Sequence, residues 1–252
     1  MIKRLTVSEL DKKYLAVRSY QATPISADFL KLVVGKPWGN EYLMYHSDQI
    51  EIWSLFIGHN RATSMHCHPN KKTAILVLDG IAQFSSLNES VELVSLDTVI
   101  IESGVFHSTQ AISKNGVRML EFETPPMKHD LTRLEDKYGR ANQGYESVER
   151  MFADEGNYPR LAGEDHKINN FCKSCLTVKT ISDNMDWAKI INGNGRGSLA
   201  VIIGGSVTSP NGDILYSLTY VLMTEETNKN GGNNGDGLIF NNLKVLLVER
   251  NK

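Results

Sequence analysis

The sequence predicts a mainly β protein whose antiparallel strands form a sandwich or barrel. Three observations lead there. Short apolar runs rich in Val, Ile and Leu follow one another at roughly ten-residue spacing from Tyr42 to Glu123. Turn-forming residues punctuate them, and the same rhythm returns from about 171 to 250 after a polar interval.

Taken in order, "IEIWSLFI" is closed by Gly58, and "TAILVLDG" ends on Asp79-Gly80, which is expected to be a hairpin turn. The run "IAQFSSLNESVELVSLDTVIIESG" carries a second expected turn at Asn88-Glu89-Ser90, and "GVRMLEFETPP" completes the series. The polar stretch "MKHDLTRLEDKYGRANQGYESVERMFADEGNYPRLAGED" has broken helical periodicity and no alternation, so one or two short helices plus loop are expected there. Beyond it, "CLTVKTIS", "GSLAVIIGGSVTSPNGDILYSLTYVLMTEE" and "LKVLLVER" are strand-like, with a hairpin expected at Pro210-Asn211-Gly212. "TNKNGGNNGDG" (Thr227 to Gly237) and "NGNGRGS" are expected loops, since no Lys-Ser/Thr follows their glycines as phosphate binding would need.

Bulk composition removes several function classes. The 252 residues carry 27 Lys+Arg against 29 Asp+Glu, a net charge of −2, with no basic run of the kind a nucleic-acid footprint needs. No apolar stretch approaches the ~20 residues of a membrane span, and "MIKRLTVSELDKKYLAV" has no apolar core of a secretory signal. Three cysteines cannot all pair, so a reducing, cytoplasmic setting is expected.

The chemistry concentrates in "SMHCHPNKK". On a strand, side chains alternate faces, so His66 and His68 point one way and Met65 and Cys67 the other. Residues two apart sit about 7 Å apart along a strand, and two imidazoles leaning together can meet one cation at nitrogen distances of about 2.0–2.1 Å. The alternative is a pair of hydrogen-bonded histidines with no metal. His107, in "ESGVFHSTQ" after the run "LDTVII", can join them if its strand lies beside theirs. Three neutral imidazoles suit one divalent transition ion such as zinc, iron, manganese or nickel.

The order Gly58…His66-x-His68…Gly80, then Gly104-x-x-His107, resembles the two metal motifs of the cupin superfamily. The span from "KPWGNEY" to "DLTRLEDKYGR", residues 36–140, is similar to the cupin domain of type II mannose-6-phosphate isomerases, with their Pro-Trp-Gly opening and Asp-x-x-Arg-x-x-Asp-x-Tyr-Gly-Arg close. The resemblance implies a cupin jelly roll. The chain then divides into an N-terminal extension (1–35), the cupin domain with the metal motifs (36–140), a helical or loop linker (141–170) and a degenerate second cupin-like half (171–252), making a bicupin. That second half has no histidine after His166 and so no imidazole site. Two departures stand out: Lys72 and Thr73 occupy the positions of the family's metal-binding glutamate, and Glu102 that of a motif proline.

The resemblance also implies a metal-dependent sugar-phosphate or nucleotide-sugar isomerase or epimerase, serving carbohydrate or polysaccharide biosynthesis. Isomerisation moves a proton between adjacent carbons, which calls for a metal to polarise oxygens and a carboxylate to carry the proton. Glu121 and Glu123 share one face of their strand and are the base candidates if that face is interior; otherwise they are solvent-facing. Arg133 matches the family's active-site arginine, with a salt bridge to Asp130 or Asp136 as its alternative. Lys71 and Arg140 are further substrate-binding candidates, against solvation for Lys71 and packing for Arg140. The missing glutamate keeps a non-catalytic sugar-binding or regulatory bicupin open, and iron-dependent oxygen chemistry would use the same ligands. The partner is a small sugar phosphate or nucleotide sugar, with a homodimer possible by analogy. Cys172 and Cys175 ("CKSC") lack the second ligand pair of a zinc site.

Overall fold

The computed structural model describes residues 1–18, 27–141, 143–163, 166–191, 198–219, 221–223 and 237–251. The chain forms two compact units, residues 1–159 and 160–252. It is mainly β, and among the described residues the sheets are antiparallel apart from one parallel strand pair.

The first unit contains β1 (Ile2–Leu5), α1 (Glu9–Ala16), β2 (Leu32–Lys36), β3 (Gly39–His46), β4 (Glu51–Ile57), β5 (Met65–Cys67), β6 (Lys72–Asp79) and β7 (Ala82–Ser86). It continues through β8 (Ser90–Leu93), β9 (Thr98–Ile101), β10 (His107–Ala111), β11 (Val117–Thr124), β12 (Thr132–Glu135) and β13 (Met151–Ala153). An eight-stranded sheet runs β1-β9-β6-β11-β4-β3-β2-β13, and a five-stranded sheet runs β12-β5-β10-β7-β8. From β4 to β7 and again from β8 to β13, successive strands alternate between the two sheets, as in the jelly roll of a double-stranded β-helix. Trp53, Leu55, Ile75, Val77, Phe84, Val99 and Met119 belong to one buried cluster that draws on both sheets.

Two of the three expected hairpins are present. Ser85 pairs with Ser90 across β7 and β8. In the second unit, Val207 pairs with Tyr216. Asp79-Gly80 is different: β6 and β7 lie in different sheets, so this turn is a corner. Gly80 has φ +94°, and a Cβ there would stand 2.5 Å from the Gly116 carbonyl oxygen, so the corner needs glycine.

Two segments among the first 35 residues, β1 and α1, join the first unit. β1 adds to the large sheet by parallel pairing of Ile2–Leu5 with Thr98–Ile101. Helix α1 opens on a capping box between Ser8 and Asp11, and the buried Asp11 also accepts a hydrogen bond from the Phe106 backbone N–H at 2.9 Å. That contact anchors the residue preceding His107. Asp11→Ala orphans a buried N–H and removes the box, so about 1–3 kcal/mol of stability is lost, to be read as a lower urea midpoint.

Where helices were expected between 127 and 165, the described residues hold β12, β13 and a single 3-10 turn at Val148–Arg150. The reason is tertiary pairing: β12 borders the histidine strand β5, and β13 borders β2, so weak local periodicity gives way to sheet hydrogen bonds.

The second unit comprises β14 (Lys167–Phe171), β15 (Ser174–Ile181), α2 (Asn184–Ile191), β16 (Ser198–Thr208), β17 (Ile214–Tyr216), β18 (Val221–Met223) and β19 (Ile239–Arg250). Among the described residues it is one antiparallel sheet, with Trp187 and Ile190 of α2 clustered against Ala200, Ile202 and Val245. "CKSC" forms the β14–β15 hairpin: Cys172 and Lys173 take φ +53° and +62° between the paired Phe171 and Ser174. The glycine-rich stretches 192–197 and 227–236 lie outside the described residues.

Candidate metal centre

The three histidines converge. His66 on β5 is the register partner of His107 on β10, and His68 follows β5 by one residue. Ring centroids are 4.5 Å apart for His66–His107, 5.0 Å for His66–His68 and 5.5 Å for His68–His107. One nitrogen from each ring lies within 4.8 Å of the other two.

Hydrogen bonding fixes which nitrogen is available. Each Nδ1 faces a backbone carbonyl: His66 that of Ser64 at 2.8 Å, His68 that of Asp130 at 2.6 Å, and His107 that of Val105 at 3.0 Å. A carbonyl only accepts, so each Nδ1 carries the proton and each Nε2 keeps its lone pair. The Nε2 atoms of His68 and His107 are buried with no partner. Burial also holds all three rings neutral, His107 at a pKa of about 4 and the other two well below the usual imidazole value. Neutral imidazoles with inward lone pairs and carbonyl-locked tautomers are the donor set a transition ion takes, so these residues fit such a metal. Phe84 stacks on His107 with an 11° tilt and a 6.0 Å centroid separation, bracing the ring from behind.

Across the barrel, β11 of the large sheet faces this triad. Glu121 and Glu123 are both buried, so their shared face is the interior. Register places Glu123 beside Thr73 and Glu121 beside Ile75. The Thr73 hydroxyl is buried and unpartnered, and the inward carboxylates beside it come from the neighbouring strand β11. Glu121 Oε1 is 3.8 Å from His68 Nε2. Burial, with the charge of Glu123, pushes the Glu121 carboxyl up to about 7.

Every other inward carboxylate of the cavity is committed to cations. Glu123 contacts Lys71 at 2.6 Å and Lys128 at 3.0 Å; burial works to raise its pKa, and the two ammonium groups outweigh it. Glu41 contacts Lys128 at 3.0 Å and Lys36 at 3.3 Å, and accepts from the Tyr145 hydroxyl. Those cations overcome burial and hold Glu41 at about 2. Glu146 meets Arg133 at 3.3 Å, Lys36 at 3.6 Å and Arg140. Burial lowers Lys36 to about 8 against the pull of Glu41 and Glu146. Lys128 lies 3.6 Å from the centre of the Trp53 ring, Lys36 3.8 Å from that of Tyr145.

Each expected substrate-binding residue lines this cavity. Lys71 is only 1% exposed, so the solvated alternative does not hold; Lys72 instead pairs outside with Glu102 at 3.0 Å. Arg133 does not bridge to Asp130 or Asp136. It holds Glu146 and donates to the carbonyls of Gln143, at 2.6 Å, and Gly144. Arg140 bridges Asp136 at 2.7 Å as well as Glu146. Asp130 organises the other side, its carboxylate accepting from the N–H groups of Asn70 and Lys71, both at 2.9 Å. Sequence reasoning missed Lys36, Glu41, Lys128, Tyr145 and Glu146. Glu41 lies on β3, whose residues Glu41 to Tyr45 are buried without alternation, so it carries no periodic signal, and neither do the other four.

No family model matches the sequence, and no curated protein does. Solved structures similar to this chain include KdgF from Halomonas sp. (TM-score 0.34, 12% identity, 36% of this chain and 82% of that one). Another is a sugar phosphate isomerase from a cupin superfamily from Silicibacter pomeroyi (TM-score 0.34, 12% identity, 37% and 70%). A third is the capsular polysaccharide assembling protein CapF from Staphylococcus aureus (TM-score 0.36, 20% identity, 41% of this chain and 34% of that one). No helix among the described residues is long and apolar enough to cross a membrane.

Proposed function

We propose that the first unit is a metal-dependent sugar isomerase or epimerase of the sugar-phosphate or nucleotide-sugar class. The observation that carries this reading is the meeting of three inward Nε2 lone pairs with one uncommitted carboxylate, Glu121, on the opposite sheet. His66, His68 and His107 would hold the ion, which when bound polarises a carbonyl and its neighbouring hydroxyl. The chain's own groups do the rest. Glu121 Oε1 would take the proton from the carbon beside the carbonyl; the C–H electron pair forms the C=C bond of an enediolate while the carbonyl π pair moves onto its oxygen. The proton of the neighbouring hydroxyl passes to that oxygen, and the carboxyl returns its own proton to the former carbonyl carbon, leaving the new carbonyl next to it. Glu123 is held ionised by Lys71 and Lys128, so it positions those ammonium groups and leaves the proton transfer to Glu121.

Absence of a glutamate at Lys72 or Thr73 favours a second reading, a sugar-binding module without turnover. One preparation decides between them. Elemental analysis of the purified protein is expected to show bound transition metal that His66→Ala/His68→Ala lacks. NMR of sugar-phosphate mixtures is expected to show interconversion that His107→Ala abolishes. Failure to take up metal under any loading condition rules out the enzyme; binding without interconversion leaves the second reading.

A further inference from the structure

Resting on the metal reading above, we infer that Asp11 is a positioning residue for the metal centre. Its carboxylate reaches from α1 to fix the turn that aims His107, so the N-terminal segment sets how tightly and in what geometry the ion is held.

Strand pairing holds His107 from its own position onward, with Ser86 of β7 and His66 of β5 as register partners. Residues 102–106 before it belong to no strand, so their placement depends on individual hydrogen bonds. The Gly104 N–H donates to the His68 carbonyl at 2.7 Å, and the Glu102 N–H to that of Leu5 at 3.1 Å. The Phe106 N–H donates to Asp11 Oδ1 at 2.9 Å. Two of these three anchors come from β1 and α1.

Asp11 is set up for this contact. It is buried, and its Oδ2 accepts from the Ser8 N–H at 2.9 Å and from the Ser8 hydroxyl. Capping the helix uses Oδ2, and Oδ1 is left for the turn. Apolar contacts support the bond. Phe106 is buried and clusters with Leu15, and the Tyr14 ring meets it edge-on with centroids 6.5 Å apart. Gly104 has φ +83°, and a Cβ there would lie 3.4 Å from Val7 and 3.7 Å from Leu15.

The same turn carries the group that sets the tautomer, for the Val105 carbonyl accepts from His107 Nδ1 at 3.0 Å. A shift of the turn therefore moves both the His107 backbone and the lock that keeps its Nε2 bare. His66 and His68 take their locks elsewhere, from the carbonyls of Ser64 and Asp130. The effect falls on one ligand of the three. Outer partners that orient a metal ligand are worth about 10–100-fold in metal affinity.

Zinc titration of the full chain against a competing chelator first establishes metal binding by the wild type; no uptake overturns both this inference and the metal reading. Asp11→Ala is then expected to bind zinc about 10–100-fold more weakly. Its cobalt(II) form is expected to show a visible absorption spectrum altered from wild type, a signature of ligand geometry that a loss of stability alone does not move. Ser8→Ala is the control. It removes the capping hydroxyl, weakens the helix and leaves the Asp11–Phe106 bond, so wild-type affinity and spectrum are expected. Coupling of this kind is reciprocal, which gives a reading without any variant: zinc loading of the wild type is expected to slow hydrogen exchange at Phe106 and along α1 by about tenfold or more. Wild-type affinity and spectrum in Asp11→Ala, equal losses of affinity in Ser8→Ala and Asp11→Ala, or exchange in α1 indifferent to zinc would each overturn the inference while leaving the metal reading intact. The exchange result decides if Asp11→Ala does not fold.

Discussion

If the first unit is the proposed isomerase, Glu121→Gln is expected to lower turnover by about 10²–10⁴-fold, the usual worth of a positioned general base, while bound metal stays at the wild-type level. The amide keeps the shape and loses the ability to take a proton. The split between activity and metal content is the informative part. Glu121 sits 3.8 Å from His68 Nε2, yet it is not among the three residues whose ligand atoms mutually converge. A base beside the centre predicts dead enzyme with full metal. A fourth ligand predicts that metal is lost along with activity, and elemental analysis of the variant distinguishes the two.

Lys128→Met is expected to cost about 3–5 kcal/mol of unfolding free energy, the scale for removing one partner from a buried ionic cluster. Lys128 contacts Glu41 and Glu123, both at 3.0 Å, and caps the Trp53 ring, so its loss leaves two buried carboxylates with one ammonium contact each, from Lys36 and Lys71. The pH dependence follows with a definite sign. Glu41 has a folded pKa of about 2, below its unfolded value. Its stabilising contribution is therefore complete above an ordinary carboxylate pKa and disappears as pH falls toward 2. Urea midpoints of wild type are expected to fall through that acid window, and those of Lys128→Met to begin lower and fall less, since the depression has lost its largest favourable cause.

How much of this was legible in the sequence depends on whether a residue's role is local. Short apolar runs mark β4, β6 and β11, and side chains two apart on a strand share a face, so strand positions and the shared face of Glu121 and Glu123 could be read directly. His66 and His68 are separated by one residue, which is the same kind of information. His107 required a strand-pairing assumption, and the register His107–His66 is what that assumption needed. The helices expected between 127 and 165 failed for the opposite reason. Thr132–Glu135 becomes a strand because β5 offers it a free edge 65 residues earlier in the chain, a fact no local window contains. Lys36, Lys128 and Glu146 are likewise defined only by one another. A lysine after a proline looks solvated until its carboxylates arrive from β3 and β11.

The division of labour between the two sheets has a mechanical consequence. Imidazoles belong to the thin five-stranded wall and the facing carboxylate to the broad eight-stranded one, so the separation that matters chemically is the thickness of the barrel itself. Side chains such as Met119 and Ile75 act as spacers between those walls, in the manner of shims in a caliper. Trimming one would retune the gap at a distance, without touching a single group that handles the proton.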